Sequence, residues 1–471
     1  MEIIGRHEEQ VSIQQYVDSE KPEFVVVYGR RRVGKTYLIK EFFNQSFSFY
    51  ATGLANAKKE EQMENFNVSL NHYGKMPYPR VKSWLESIRQ LIHLLEHTKK
   101  KGKKVIFIDE LSWFDTPRSG FLTALEYFWN SWASSRPDIL LIVCGSATSW
   151  MINKLLKNRG GLHNRVTQRM HIEPFTLREC EEFFAHKKIV IDRYTIVESY
   201  MIFGGIPFYM DLMDKKYSLA QNVDKLCFSK NGALKDEFSI LYASLFKHSE
   251  NHVKIVKALA MKAKGLMRDE IIAITRLQGG GLTNTLEELE QCGFIRKYQS
   301  FEKKNKYSVY QLIDFFTLFH IHFINVKANN GHFWSTVTDN ARHRTWTGYT
   351  FELVCLTHEE QIKRKLGISG VLTNSFSWRS LKSPTNGAEI DLLIDRNDRV
   401  INICEMKYAN DEFVIDKKYA ETLRNKREVF LRETKTRKAI HITMVSTYGV
   451  KKNDYHALIQ SEVSMNDIFA Y

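Results

Sequence analysis

The stretch that most constrains this chain is GRRRVGKT, Gly29–Thr36. It fits G-x-x-x-x-G-K-[ST] at every fixed position. Its surroundings fit as well: the β-branched run Val25–Tyr28 precedes it, and a helical apolar pattern (Tyr37, Leu38, Phe42) follows. Glycines at 29 and 34 let the backbone curl until its N–H groups point at phosphate oxygens, and the following helix adds the positive end of its dipole. Lys35 then neutralises the β- and γ-phosphates of ATP, and Thr36 ligates Mg²⁺. The expected nucleotide cradle is Gly29, Arg30, Arg31, Arg32, Val33, Gly34, Lys35, Thr36 and Tyr37. The arginine side chains either add positive field or are simply solvated.

A phosphate loop needs a second strand that carries an acid for the metal. KKVIFIDELSW supplies one, with Val105–Ile108 apolar and Asp109–Glu110 at its end. Asp109 is expected to hold Mg²⁺, directly or through water, and Glu110 to polarise the attacking water. A further buried strand, Ile139–Val143, ends in Gly145–Ser146. The Ser146 hydroxyl either senses the γ-phosphate or the attacking water, or is a plain turn serine. Three apolar strands with helical patterns between them predict a parallel sheet with nucleotide at its C-terminal edge. Arg165 and Arg169 follow, each a candidate to stabilise charge on the transferring phosphate from a neighbouring subunit or a lid, or a solvated loop arginine.

The chain has 471 residues, room for about three domains. Its net charge of +14 is spread as +7 over residues 1–249, +4 over 250–330 and +3 over 331–471. A spread excess favours acidic partners such as nucleic acid only weakly. Six cysteines lie far apart without a C-x-x-C pair, which fits neither a zinc site nor a disulfide scaffold. The start MEIIGRHEEQ has no apolar signal core, and no apolar run reaches the roughly 18 residues of a membrane span. These features predict a soluble cytoplasmic protein with no membrane partner.

IIGRHEE, VVYGRRRVGKTYLIKEF, FIDEL, CGSA and FGGIPFYM occur in the order seen in the archaeal-type ATPase family, a branch of the AAA+/STAND P-loop NTPases, which this chain resembles over about residues 1–235. The resemblance implies that the segment from Gly5 and Arg6 to Glu9 opens near the adenine. It also implies that Gly204, Gly205 and Pro207 belong to a helical lid. Self-association is a separate expectation, tied to an arginine that a neighbouring subunit would supply. Where relatives usually show glycine before the arginine, Asn164 precedes Arg165 here.

Residues 250–330 change character. His252–Met261 and Met267–Ile274 have helical spacing, and Gly279–Gly281 breaks the pattern. LTNTLEELEQ then reads as a helix, and Phe294–Tyr298 and Tyr307–Leu312 as a β-wing around EKKNK. That order predicts a winged helix-turn-helix. Its candidate reading helix carries Glu287, Glu288 and Glu290, which repel phosphates unless they face away; packing is the expected role. Lys303, Lys304 and Lys306 could still touch a nucleic-acid backbone.

Residues 331–471 read as helix, strands, helix, strand, an α/β core. Thr350–Lys363 has helical periodicity with Glu352 in its first turn. EIDLLIDRNDRVINICEMK, Glu389–Lys407, is a hairpin. A three-residue turn at Asn397–Arg399 pairs Arg396 with Val400 and sets Asp391 opposite Glu405, on one face with Glu389 and Lys407. Ile390, Leu392 and Ile394 then face the other way. A two-residue turn separates the acids. Two carboxylates on one face repel unless a cation lies between them, and Mg²⁺ or Mn²⁺ suits oxygen donors. Such a metal activates water at a scissile phosphate, with Lys407 neutralising charge. The layout resembles the PD-(D/E)xK nuclease superfamily, although Ile390 stands where its proline would be. In that superfamily an upstream helical glutamate often completes the metal site, and Glu352 matches it.

The expected architecture is α/β. A P-loop NTPase parallel sheet with helical lid spans residues 1–235, a winged helix 250–330, and a restriction-endonuclease-like domain 331–471. The expected function is ATP hydrolysis that gates Mg²⁺- or Mn²⁺-dependent cleavage of nucleic acid, DNA being favoured. The alternative is a nucleotide-switched regulatory or DNA-binding protein with a catalytically silent C-terminal domain.

Overall fold

Four largely apolar runs and one polar edge segment become the parallel strands β1 (Glu23–Tyr28), β2 (Phe49–Thr52), β3 (Lys104–Asp109), β4 (Ile139–Gly145) and, at the edge, β5 (Gln168–His171) in a computed structural model. The structure describes the chain apart from residues 1, 158–159, 163, 247, 299–300, 302–307, 326–330, 338–339, 381–386 and 471. Lys303, Lys304 and Lys306 therefore lie outside the described residues. The chain divides into two compact units, Met1–Pro174 and Phe175–Tyr471.

In the first unit the strand order is β2-β3-β4-β1-β5. Parallel strands are covered on both faces, so they read as continuous apolar runs rather than alternations. Phe24, Val26, Ile106, Ile108, Leu141 and Val143 share one buried cluster, and Val25, Val27, Phe107 and Ile142 are buried as well. The order has a direct consequence. Because β4 lies between β1 and β3, the C-terminal ends of all three strands meet at one edge. That edge carries the glycine loop, Gly145–Ser146 and Asp109–Glu110.

The second unit holds two sheets. The smaller has strands β6 (Leu266–Met267), β7 (Ile295–Tyr298) and β8 (Val309–Leu312) in the order β6-β8-β7, all antiparallel. Three helices, Glu250–Ala260, Arg268–Thr275 and Gly279–Gln291, precede the β7–β8 hairpin. Gly279–Gly281 does not break the pattern as expected; it forms the first turn of the third helix. A first turn tolerates glycine because its N–H groups lack helical partners anyway. Thr285 also donates to the Gly281 carbonyl, and Arg268 to that of Gly279.

The larger sheet is mixed, in the order β13-β12-β11-β10-β9, with β9 (Thr373–Arg379), β10 (Glu389–Arg396), β11 (Val400–Lys407), β12 (Ala439–Ser446) and β13 (Ser461–Ser464). β10 and β11 form the antiparallel hairpin, while β11–β12 and β12–β13 are parallel. The Lys417–Thr434 helix covers one face through Leu423, Val429 and Phe430. The Ala341–Thr357 helix packs on β11 and on the Arg193–Phe203 helix.

His358 ties these parts of the second unit together. Its Nε2 accepts the Leu177 N–H at 2.9 Å, satisfying one orphan donor at the start of the Leu177–His186 helix, and its Nδ1 donates to the Val354 carbonyl. The ring must be neutral to do both. Burial lowers its pKa from 6.5 to about 4. An unfolded chain therefore binds a proton at pH values where the folded one does not, and this term costs stability as pH falls from 6.5 towards 4. Replacing His358 with Gln is expected to flatten the stability–pH slope in that window by up to about 1.4 kcal/mol per pH unit, read from urea midpoints.

Candidate functional site

The loop after β1 has the backbone its glycines imply. Gly29 has φ 143° and Gly34 φ 91°. A Cβ on Gly29 would stand 2.2 Å from the Ile172 carbonyl oxygen, closer than any side chain tolerates. The Lys35–Phe42 helix begins directly behind the loop. Lys35 is buried, and its ammonium donates to the Gly29 and Arg30 carbonyls at 2.8 and 2.7 Å, across the mouth of the cradle. Arg30 and Val33 are buried, Arg31 and Arg32 half-buried. Tyr37 stands exposed in the first helical turn, its hydroxyl 3.4 Å from the Glu2 carbonyl.

Next to the loop stands the acid of β3. The Thr36 hydroxyl lies 2.9 and 3.1 Å from the two carboxylate oxygens of Asp109. Burial and then the neighbouring Glu110 push the Asp109 pKa up, against Thr36, the Glu110 N–H and the Cys144 thiol. A hydroxyl and a desolvated carboxylate are hard oxygen donors, so the pair fits Mg²⁺ arriving with a nucleotide. Glu110 sits at φ 46°, an unusual backbone for glutamate, and its Oε2 accepts from the Ser146 hydroxyl at 2.9 Å and the Ser146 N–H at 3.3 Å. Ser146 is thus no bare turn serine, since its hydroxyl holds the carboxylate that the sequence assigns to water.

Arg6 belongs to the same unit. It is buried, with Nη2 donating to the Val33 carbonyl at 3.1 Å and to that of Glu173 at 2.7 Å, and Nη1 to Glu9 at 3.2 Å. Gly5, at φ 61°, precedes it. Arg6 therefore braces the phosphate loop from behind. Arg165 lies exposed on a turn, and Arg169 is exposed on β5. Sequence reasoning missed two groups. His171 stacks on Tyr28 with ring centroids 5.0 Å apart, and its pKa is lowered by burial and by Lys35, against Glu173. The buried Cys144 at the end of β4 is the second, its thiol hydrogen-bonded to Asp109.

In the second unit the hairpin turn is the three-residue one. Leu392 pairs with Cys404, Leu393 with Ile403, Ile394 with Asn402 and Asp395 with Ile401. The paired stretch runs to Leu392 and Cys404, one step short of Asp391 and Glu405. Arg399, at φ 69°, takes the left-handed position that such turns require. The other neighbour brings a departure. The β10–β9 register shifts between Ile390 and Leu393, so Asp391 and Leu392 together stand against Ser377. A bulge of this kind flips the alternation. Ile390 therefore joins Leu393, Ile401 and Ile403 under the Lys417–Thr434 helix, rather than facing away with Leu392 as expected.

Glu352 is also placed differently from expectation. Its helix starts at Ala341, capped by the Asn340 side chain, so Glu352 lies in the later half and not in the first turn. From there its carboxylate reaches Lys264 at 2.7 Å, and Asp391 reaches the same ammonium. Burial and then Asp391 raise Glu352 to about 7, against Lys264 and Lys407. Burial alone would lower the Lys264 pKa, but Asp391 and Glu352 outweigh it and raise it.

Glu405 is held by other groups. Tyr419 donates to Oε1 at 2.6 Å, Lys426 to Oε2 at 2.6 Å, and Lys407 lies 2.9 Å from Oε1. Burial would raise its pKa, but Lys426 and Lys407 bring it down to about 2. Tyr419 feels all three acids, Glu405 first, then Asp391 and Glu352, so they form one electrostatic neighbourhood. Among the described residues, no three His, Cys, Asp or Glu side chains converge closely enough to hold a metal together. The sequence missed Lys264, Tyr419 and Lys426. Only the last two carried a signal, a seven-residue spacing that puts both on one helix face.

The Gly279–Gln291 helix, directly before the β7–β8 hairpin, turns Glu287 and Glu290 to solvent, while Glu288 meets His252 at 2.7 Å. Its exposed face is acidic, which opposes contact with phosphates.

Residues 4–213 match the family described as an ATPase domain predominantly from Archaea. An uncharacterized protein of Methanocaldococcus jannaschii is 24% identical over 416 residues, covering 86% of this chain and 88% of its own. A Walker-type ATPase of Pyrococcus abyssi is similar at 19% identity, covering 68% of this chain and 96% of its own, with a TM-score of 0.49. The ORC2 protein of Aeropyrum pernix, in ADPNP–ADP complexes, is similar at 13% identity, covering 68% and 93%, with a TM-score of 0.43. The N-terminal part is an archaeal-type ATPase domain, which supports ATP binding and hydrolysis. Among the described residues, no helix is long and apolar enough to cross a membrane.

Proposed function

We propose that the archaeal-type ATPase domain drives a nucleotide cycle that gates metal-dependent cleavage of nucleic acid, DNA being favoured, by the C-terminal sheet and its helices. At the ATPase edge, Lys35 binds the β- and γ-phosphates, Thr36 and Asp109 hold Mg²⁺, Glu110 orients the attacking water, and Ser146 keeps Glu110 in place. Arg165 is the candidate to meet the phosphate of a neighbouring copy. The segment 250–330 is read as a winged helix that packs within the protein rather than reading bases.

One observation carries the nuclease part. Glu352 and Asp391, which come from a helix and a hairpin far apart in sequence, direct their carboxylates at a single cation. Two converging oxygen donors beside Glu405 and Lys407 suit Mg²⁺ or Mn²⁺. When bound, such a metal would supply an activated water and charge neutralisation at a scissile phosphate. Lys407 would place a positive charge where the phosphate develops negative charge. A second reading has its own support: Glu405 is already saturated by Lys407, Lys426 and Tyr419, as in a site that keeps its residues for stability. The protein would then be a nucleotide-switched regulator with a silent C-terminal domain.

Plasmid and single-stranded substrates incubated with Mg²⁺ or Mn²⁺, with and without ATP, separate the two. Cleavage is expected from the wild type and none from Asp391→Ala; Lys35→Ala should lose only the ATP response. Cleavage that persists in Asp391→Ala rules out this site. No cleavage of DNA or RNA under any condition supports the second reading.

A further inference from the structure

We propose that Lys264 is a built-in counter-ion that holds the Glu352–Asp391 pair closed to divalent metal until the segment bearing the lysine withdraws. The inference rests on the reading of these acids as metal ligands. Its basis is how the lysine is delivered. Lys264 belongs to neither the sheet nor the helix that carries the acids. It sits on the tight turn between the Glu250–Ala260 helix and β6.

That turn is clamped. The Gly265 N–H closes it on the Lys262 carbonyl at 2.8 Å. On one side of the lysine, Gln311 of β8 donates to the Ala263 carbonyl at 2.8 Å; at the lysine itself, Tyr298 of β7 donates to its carbonyl at 2.6 Å. Gly265 has φ 79°, and a Cβ there would stand 2.3 Å from the Tyr310 carbonyl oxygen, so the turn presses directly on the hairpin. The backbone that carries the lysine is therefore fixed to the small sheet, while its ammonium rests on Glu352 and Asp391.

An ammonium and a divalent cation compete for the same carboxylate lone pairs. The ammonium is tethered, so its effective concentration at the site is high, on the order of millimolar or more. A metal must displace it. Shifting the β6–β8 sheet away from the hairpin β10–β11 removes the competitor and exposes two like charges that then favour a metal. Metal loading is in this way coupled to a movement inside the second unit, without any change in the ligands themselves.

The test is Mn²⁺ affinity of nucleotide-free full-length protein, by calorimetry or by the Mn²⁺ electron-spin signal. Lys264→Met keeps the apolar stem and removes the charge. It should bind Mn²⁺ at least about tenfold tighter than the wild type, a gain that Asp391→Asn in the same chain abolishes. Lys264→Gln, whose amide still donates to one carboxylate, carries the test if the Met variant is unstable and should shift affinity in the same direction. Equal affinity in wild type and both variants, lost in each with Asp391→Asn, leaves the metal site standing and overturns the plug. No Asp391-dependent Mn²⁺ binding in any of them overturns both.

Discussion

Glu110→Gln lowers ATP turnover by about 10²–10⁴-fold while nucleotide still binds. The expectation comes from how Glu110 is held. Its backbone is left-handed, and both the hydroxyl and N–H of Ser146 fix Oε2. Gln keeps the size and still accepts at one oxygen, so the edge should keep its shape while losing the base. Ser146→Ala should lower turnover less, because it loosens the carboxylate without removing it. Filter binding of labelled nucleotide and steady-state phosphate release report the two quantities separately. Undiminished turnover in Glu110→Gln removes this residue from the chemistry.

Lys426→Met destabilises the protein by about 3 kcal/mol near neutral pH in EDTA. Glu405 is almost fully buried, and Lys426 is its largest source of stabilisation. The apolar replacement fills the space but leaves the carboxylate with Lys407 and Tyr419 alone. The sign of the pH dependence follows from the same contacts. Glu405 is held at about 2 in the fold, against an ordinary value of 4.5. Its contribution is therefore complete above 4.5 and is lost as pH falls through 2. The variant should lose less stability than the wild type across that range. Denaturant midpoints at a series of pH values check both; equal slopes in the two proteins would exclude Lys426 as the group that holds Glu405 down.

How much was legible beforehand varies with how local the information is. The hairpin register could be narrowed to two options because strand alternation has a period of two, and the three-residue turn with Arg399 left-handed selected one. The bulge beside Asp391 was invisible, since it depends on how β9 lies against β10. The position of Glu352 within its helix was misjudged because the cap at Asn340 lies upstream of the clear apolar spacing. Gly279–Gly281 read as a breaker because helix propensity counts residues, whereas a first turn forgives them.

The glycine loop, its strand and helix, and the acids ending β3 were determined by the sequence itself. Each is a short motif whose backbone is dictated by residues within a few positions of one another. Only the tertiary structure decided that Ser146 holds Glu110, that Tyr419 and Lys426 hold Glu405, and that a lysine 88 positions before Glu352 and 127 before Asp391 stands between those two acids. Charges find partners through space once burial removes the water that would otherwise solvate them, and no local pattern records which distant ammonium will arrive.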